Sequence, residues 1–438
     1  MKLYDAAIIG GGLAGLIATI ELAEAGKSVV LLEKSGSSLG GRAATQNKDG
    51  VLFNLGGHAL YLGGVADRLF ERYSLALTGS KPSTKGLAIW NGKLASLPGD
   101  PKSLLSSELL GWSSKAKLIS LFAKLYRLNP VEIPRGSLRE WAEAEIRDPM
   151  VRHIFYALCR TATYSQDPDG QLAGPTLGMV QRALKSGVKY LDGGWQTIVD
   201  RLRDKAIRSG AEIRTGRFVQ EIVYVEGEVK GVVCADGERV EARNVVSTAS
   251  PALTYGMVAG AENTVLRRWK EEAKPSLVAS LDLALRRLPS ADRHLAIGID
   301  QPVFFSNHSR AARLSDNGTI VMHLTKYSGA SQQDPKADEK LLEQTMSLLH
   351  PGWEKEVVSR RFLPNMTVVH DYPHMGRSTF EVGPVVPEIK GLYVAGDWAG
   401  HGEMLVDAAA ASAIRAAEQI VAADRIAGAR EPAAFVRA

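Results

Sequence analysis

Tyr4-Asp5-Ala6-Ala7-Ile8-Ile9-Gly10-Gly11-Gly12-Leu13-Ala14-Gly15 lies near the amino end of this 438-residue chain. Its reading decides the fold. The run Tyr4 to Ile9 is short and apolar, as in a buried parallel strand. A helical pattern follows, with Leu13, Leu16, Ile17, Ile20, Leu22 and Ala23 on or near one face and Gly26 as its stop. A second apolar run, Ser28 to Leu32, ends at Glu33. Strand, glycine turn, helix and strand together form a dinucleotide-binding unit. Gly10 permits the tight turn, Gly11 continues the phosphate-facing loop, Gly12 lets a pyrophosphate approach the backbone, and Gly15 lets helix and strand pack closely. The helix start offers free N–H groups and a dipole to the phosphates. Glu33, about twenty residues on, is placed to accept hydrogen bonds from a ribose.

Three further stretches separate FAD from NAD. Ser38-Leu39-Gly40-Gly41-Arg42 follows Glu33, and its arginine offers a fixed fork of donors to a pyrophosphate or nearby acid. Phe53-Asn54-Leu55-Gly56-Gly57-His58 comes next, and Gly391-Leu392-Tyr393-Val394-Ala395-Gly396-Asp397-Trp398 stands near the carboxyl end. Together these resemble the superfamily of flavin-containing amine oxidases, protoporphyrinogen oxidases and phytoene desaturases, and look closest to its phytoene-dehydrogenase-like members. The resemblance implies non-covalent FAD. It assigns Glu33 to the adenosine ribose, Gly41 and Arg42 to the pyrophosphate, and Gly56 and Gly57 to a loop approaching the flavin. It gives Val219 a backbone pairing with adenine, Gly396 and Asp397 the ribityl or pyrophosphate portion, and Leu405 and Val406 the helix start aimed at the flavin pyrimidine. A helix N-terminus there stabilises the negative charge of reduced flavin.

The expected fold class is α/β. A Rossmann-like FAD-binding domain with a parallel sheet is assembled from residues 1–75, 190–260 and 385–438. A second, α+β substrate domain takes residues 76–189, mainly helical, and 261–384, with strands at Leu277–Leu285 and Thr319–Leu324 and a helix at Ala337–Leu349.

A formal charge of +5 and no dense basic stripe interleaved with aromatics argue against nucleic acid. Cys159 and Cys234 are far apart and match no metal-ligand spacing, so neither a disulfide framework nor a metal site is expected. No window reaches the roughly 18 apolar residues of a spanning helix. The expectation is a cytoplasmic protein, membrane-peripheral at most, whose partners are a small organic substrate and an electron acceptor that the sequence leaves open, as it does the oligomeric state.

The resemblance implies removal of two electrons from an organic substrate. His58 and His401 flank flavin-binding loops, but we read both as packed structural histidines, and Lys326 as a surface lysine. Amine oxidases of this superfamily place an aromatic near the start of the last helix, where this chain has Leu405. An aliphatic side chain supplies no π face for an amine, which favours a largely apolar substrate and a desaturase- or dehydrogenase-like reaction. The alternatives are an amine or porphyrinogen oxidase using oxygen, and a non-catalytic binding protein on the same fold, as in Rab GDP-dissociation inhibitors. Gly111 to Asn129 forms an amphipathic helix with basic flanks. We read it as packed inside the substrate domain rather than resting on an anionic bilayer.

Overall fold

Within Tyr4–Ile9 only Asp5 escapes full burial, and a strand shielded on both faces needs neighbours at its edges and cover above and below. The computed structural model describes residues 2–329 and 334–430. Residues 330–333 and 431–438, parts of the expected substrate and FAD segments, lie outside the described residues. The chain divides into two units: residues 1–41, 199–273 and 379–438, and residues 42–198 and 274–378.

The first unit is built on a sheet ordered Glu212–Thr215, Val29–Glu33, Tyr4–Ile9, Arg239–Ser247, Glu228–Cys234 and Val219–Val225, with Leu392–Val394 paired to the end of Arg239–Ser247. The first four strands and Leu392–Val394 run parallel, and the remaining two add an antiparallel flap. Register makes the parallel strands end level. Ile9 lies opposite both Leu32 and Ser247, and Ser247 lies opposite Val394. The loops after Ile9, Ser247 and Val394 therefore leave one edge of the sheet together, where open α/β sheets bind ligands. The helix Leu13–Glu24 ends as its glycine stop foretold, with Gly26 at φ +79°. It packs along the helix Leu405–Arg430, whose buried Ala408, Ala410, Ala411 and Ala413 present only small side chains. Each large side chain buried in this unit contributes about 1.5–3 kcal/mol.

The second unit carries a sheet ordered Val357–Val369, Ser276–Leu285, Ile320–Tyr327, Val303–Asn307, Leu295–Gly298, Leu87–Trp90 and Lys93–Ser96. All neighbours are antiparallel except Leu295–Gly298 with Leu87–Trp90. The hairpin Leu87–Ser96 comes from a stretch that reads mainly as helix, and it extends this sheet. Helices Trp112–Arg127, Leu138–Glu145, Pro149–Thr163 and Ala173–Ser186 account for most of the rest of that stretch. The helix Pro335–Leu349 starts sharply, because Asp334 caps the N–H groups of Lys336 and Ala337 and Pro335 cannot donate.

Side chains alternate across a strand, and here the alternation separates two buried faces. Leu281, Leu283, Phe305, Met322 and Leu324 pack with Leu342, Met346 and Leu349 of that helix. The intervening face mixes Val278, Ala284 and Val321 with the polar Ser280, Asp282, Ser306, His323 and Thr325, all equally buried. Among the described residues no helix is long and apolar enough to cross a membrane.

Candidate functional site

The glycines at the sheet edge differ in what surrounds them. At Gly10, φ +103°, a Cβ would meet Thr248 Oγ1 at 2.6 Å, and at Gly15 it would fall 1.9 Å from the Gly10 carbonyl oxygen. These two are required by the protein itself. Gly12 has extended backbone, φ −75° and ψ −179°, and a Cβ there would meet nothing nearer than the Gly40 carbonyl at 4.0 Å. Leu13–Glu24 begins at Gly12 without a side-chain cap and without an acid in its first turn, although Leu13 and Ala14 are buried. A buried helix end lacking a cap needs another partner for its N–H groups. A pyrophosphate fits this requirement in charge and hydrogen bonding.

Glu33 is buried at the end of Val29–Glu33. Its Oε2 accepts the Gly11 N–H at 2.7 Å and its Oε1 accepts the Ser35 N–H at 2.8 Å. One carboxylate thus ties the glycine turn to the second strand, and each oxygen retains acceptor capacity for a ribose hydroxyl. The Gly40 N–H donates to the Gly11 carbonyl at 2.8 Å, which brings Gly41 against Gly12. The Arg217 N–H donates to the Glu33 carbonyl at 2.8 Å, so the strand opening at Val219 starts beside the same acid.

Across the edge, the Ala395 N–H donates to the Ser247 carbonyl at 3.0 Å. Gly396 follows at φ +149° and Asp397 is buried. Ser412 from the last helix grips Gly396 from behind. That helix begins at Leu405, whose φ of +56° is unusual for a branched side chain and marks a strained start, with Val406 next. Gly10, Gly11, Gly12, Gly15, Glu33, Gly41, Val219, Gly396, Asp397, Leu405 and Val406 thus all belong to the first unit.

Arg42, Gly56 and Gly57 belong to the second unit. Arg42 Nη1 donates to the Val368 carbonyl at 2.7 Å. Gly56, φ +81°, packs on Met366, which a Cβ would meet at 2.4 Å. His58 braces this loop: Nδ1 lies 3.1 Å from the Gly56 carbonyl and Nε2 3.1 Å from the Arg42 carbonyl. Desolvation of the half-buried ring pushes its pKa down, with the two carbonyls opposing. His401, in the first unit, holds the Gly383 carbonyl at 3.1 Å, and its own N–H donates to Glu403. Both histidines therefore make structural contacts with backbone.

Lys326 is not the surface lysine expected. It occupies the helix-facing register of Ile320–Tyr327, 16% exposed, and its Nζ lies 2.9 Å from Asp338 Oδ1. Cys234, Asp236 and Glu238 cluster closely enough to suggest ligands. However, Arg214 and Arg217 already pair with the two acids.

The sequence reading missed the polar sheet face. Gly57 rests on it, since a Cβ there would lie 3.6 Å from His323 Cβ and 3.8 Å from Thr325 Oγ1. Asp282 and His323 pair across adjacent strands at its centre. Burial alone raises the Asp282 pKa, but His323 and Arg361 outweigh it and hold the carboxyl below its ordinary value. His308, beside His323, is pushed well below the usual histidine range by burial and by its histidine neighbours. The available signal was alternation in Ser276–Leu285 and Ile320–Tyr327, which sets Asp282 and His323 opposite one another once the strands are paired.

The model for flavin containing amine oxidoreductases matches residues 13–421. Pyridine nucleotide-disulfide oxidoreductase domain-containing protein 2 of Rattus norvegicus is 30% identical over 138 residues, covering 31% of this chain and 23% of its own length. Phytoene desaturase of Cercospora nicotianae is 26% identical over 290 residues, 58% of this chain and 46% of its own. In each case the chain spans less than half the length of the relative. An oxidoreductase from Methanosarcina mazei shares the fold with a TM-score of 0.77 at 19% identity, covering 94% of this chain and 99% of that one.

Proposed function

The chain belongs to the family of flavin containing amine oxidoreductases, and from that premise we propose that it is an FAD-dependent oxidoreductase that takes two electrons from a largely apolar organic substrate. FAD, held without a covalent bond, supplies the electron-accepting ring. Gly10 to Gly12 and the start of Leu13–Glu24 hold the pyrophosphate, Glu33 the ribose, and Gly396 with Asp397 the chain leading to the flavin.

One observation carries the apolar reading. In the helix Trp112–Arg127 the inner face, Leu118, Leu121 and Leu125, is buried as expected. A second apolar stripe runs along its outer face: Trp112, Ala116, Ile119, Ala123 and Tyr126 follow helical i, i+4, i+7 spacing, and all are exposed. Trp112 is 76% exposed and Ile119 and Tyr126 each 54%. Lys117, Lys124 and Arg127 are exposed on this helix, the two lysines paired with Asp148 and Glu145, whereas Lys115 is buried and donates to the Leu105 carbonyl. An aromatic-ended apolar stripe with basic flanks suits the surface of an anionic bilayer, where an apolar substrate is dissolved. The similarity to phytoene desaturase supports the same substrate class, and the aliphatic Leu405 weighs against an amine.

Purified protein should show the oxidised-flavin spectrum and release FAD on denaturation. Phytoene should bleach it anaerobically, whereas putrescine should not. A colourless protein that refuses added FAD overturns the enzyme reading. Bleaching by the amine alone overturns only the substrate class.

A further inference from the structure

Arg239–Ser247 stands between Tyr4–Ile9 and Leu392–Val394 in the first unit, with Ser247 opposite Ile9 on one side and Val394 on the other. The loops on both sides carry residues assigned to the cofactor, Gly10 to Gly12 on one and Gly396 with Asp397 on the other. Neighbouring strands lie about 4.8 Å apart, so those two loops leave the sheet roughly 10 Å apart with only the end of Arg239–Ser247 between them. A ligand held by both has to cross Thr248, Ala249 and Ser250.

That loop is fastened to both neighbours. On one side the Thr248 N–H donates to the Ile9 carbonyl at 3.0 Å, and Thr248 Oγ1 donates to the same oxygen at 2.7 Å. On the other, Trp398 Nε1 donates to the Ala249 carbonyl at 2.9 Å. Ser250 Oγ accepts the Leu253 N–H at 3.3 Å and so caps the short helix Pro251–Gly256. The N–H groups of Ala249 and Ser250, by contrast, meet no hydrogen-bond partner among the described residues. Thr248, Ala249 and Ser250 all keep part of their surface exposed. Two consecutive unpaired N–H groups, on a loop fixed from both sides, suit the oxygens of an anionic ligand.

We propose that Thr248–Ser250 is a third part of the cofactor cradle, in which the Ala249 and Ser250 N–H groups hold FAD between its pyrophosphate and its ribityl chain. This rests on the function proposed above, which gives FAD to this edge of the sheet. Backbone donors leave no mark on residue type, so no motif announces the loop. Its place is set by strand order alone: the ends of Val29–Glu33, Tyr4–Ile9, Arg239–Ser247 and Leu392–Val394 follow one another in space, and the ribose, pyrophosphate and ribityl residues occupy the first, second and fourth. A negative charge added at the third position repels the pyrophosphate, whereas a neutral side chain of the same shape does not.

Ser250→Asp and Ser250→Asn separate charge from structure. Asp and Asn cap a helix as well as Ser does, so both apoproteins should melt close to the parent. Titrated with FAD and followed by flavin fluorescence, the Asp variant should bind about tenfold or more weakly, with the deficit shrinking as salt rises. The Asn variant should bind like the parent. Equal FAD affinity in the two variants overturns the proposal. Wild-type protein supplies a second measurement that needs no variant: amide hydrogen exchange at Ala249 and Ser250 should slow when FAD is added. Unchanged exchange there, in protein that has taken up FAD, overturns the proposal even if Ser250→Asp fails to fold. Wild-type protein that takes up no FAD overturns the function proposed above, and this inference with it.

Discussion

Ser412 and Gly396, sixteen residues apart, exchange two hydrogen bonds: the Gly396 N–H donates to Ser412 Oγ at 2.9 Å, and Ser412 Oγ donates to the Gly396 carbonyl at 3.0 Å. One hydroxyl thereby locks the glycine turn at the end of Leu392–Val394 to the body of the last helix. Ser412→Ala leaves a buried N–H and carbonyl short of partners, at a cost of about 1–3 kcal/mol. A lowered melting temperature and faster loss of FAD are expected together, measured by thermal unfolding and by flavin fluorescence after dilution.

Gly12 and Gly15 should respond to alanine in opposite ways. Gly15→Ala drives a methyl into the Gly10 carbonyl, 1.9 Å away, and should prevent folding or destabilise severely. Gly12→Ala meets no protein atom closer than 4.0 Å, so the apoprotein should melt normally. The added carbon occupies the approach of a pyrophosphate, and flavin content should fall sharply. Full flavin content in Gly12→Ala would remove the cradle from consideration.

Acid should weaken the fold in two stages. His58 and His308 have folded pKa values below their ordinary 6.5, so the unfolded chain binds more protons as the pH falls past that value, and stability declines. The Asp282 carboxyl is held below its ordinary 3.8. Its contribution is complete above that pH and disappears as the pH falls through the depressed folded value. Urea midpoints across pH 7 to 3 should show both losses. His308→Phe should lessen the upper one, leaving the share of His58, and leave the lower.

The outer stripe of Trp112–Arg127 can be tested with vesicles. Binding to liposomes containing phosphatidylserine should weaken as salt rises, because screening reduces the attraction of the basic groups on this helix, Arg127 among them. Trp112→Ser with Ile119→Ser should lower the bound fraction about tenfold or more, given roughly 1.5–3 kcal/mol for each large apolar side chain withdrawn from water. Thermal stability should hardly change, since both side chains are exposed. Equal sedimentation of the double variant and the parent would rule out this surface.

What could be read from the sequence were features in which local chemistry forces a local shape. Gly10 to Gly15 between two apolar runs admits few structures, and the strand in Gly391 to Asp397 announces itself by composition. Asp282 and His323 were hidden for the opposite reason. Polar residues alternating with leucines suggest a sheet with one wet face, and only the pairing of two strands forty residues apart reveals a buried carboxylate–histidine contact. Lys326 was misread similarly. Its partner Asp338 lies on a helix whose packing against the strand no local pattern specifies. The outer stripe of Trp112–Arg127 was present in the spacing but overshadowed by the inner one, because a helix is ordinarily assumed to have a single apolar side.

The first unit is gathered from three separated segments, and this imposes an order of events during synthesis. Tyr4–Ile9 is made before its sheet neighbours: Arg239–Ser247 follows more than two hundred residues later and Leu392–Val394 later still. Until Leu405–Arg430 is translated, the side of Leu13–Glu24 that it covers has no partner. Capture of the cofactor is thus deferred until Leu405–Arg430 has been translated. Throughout that interval the nascent chain exposes an apolar helix face of the kind that makes partly folded species prone to aggregate.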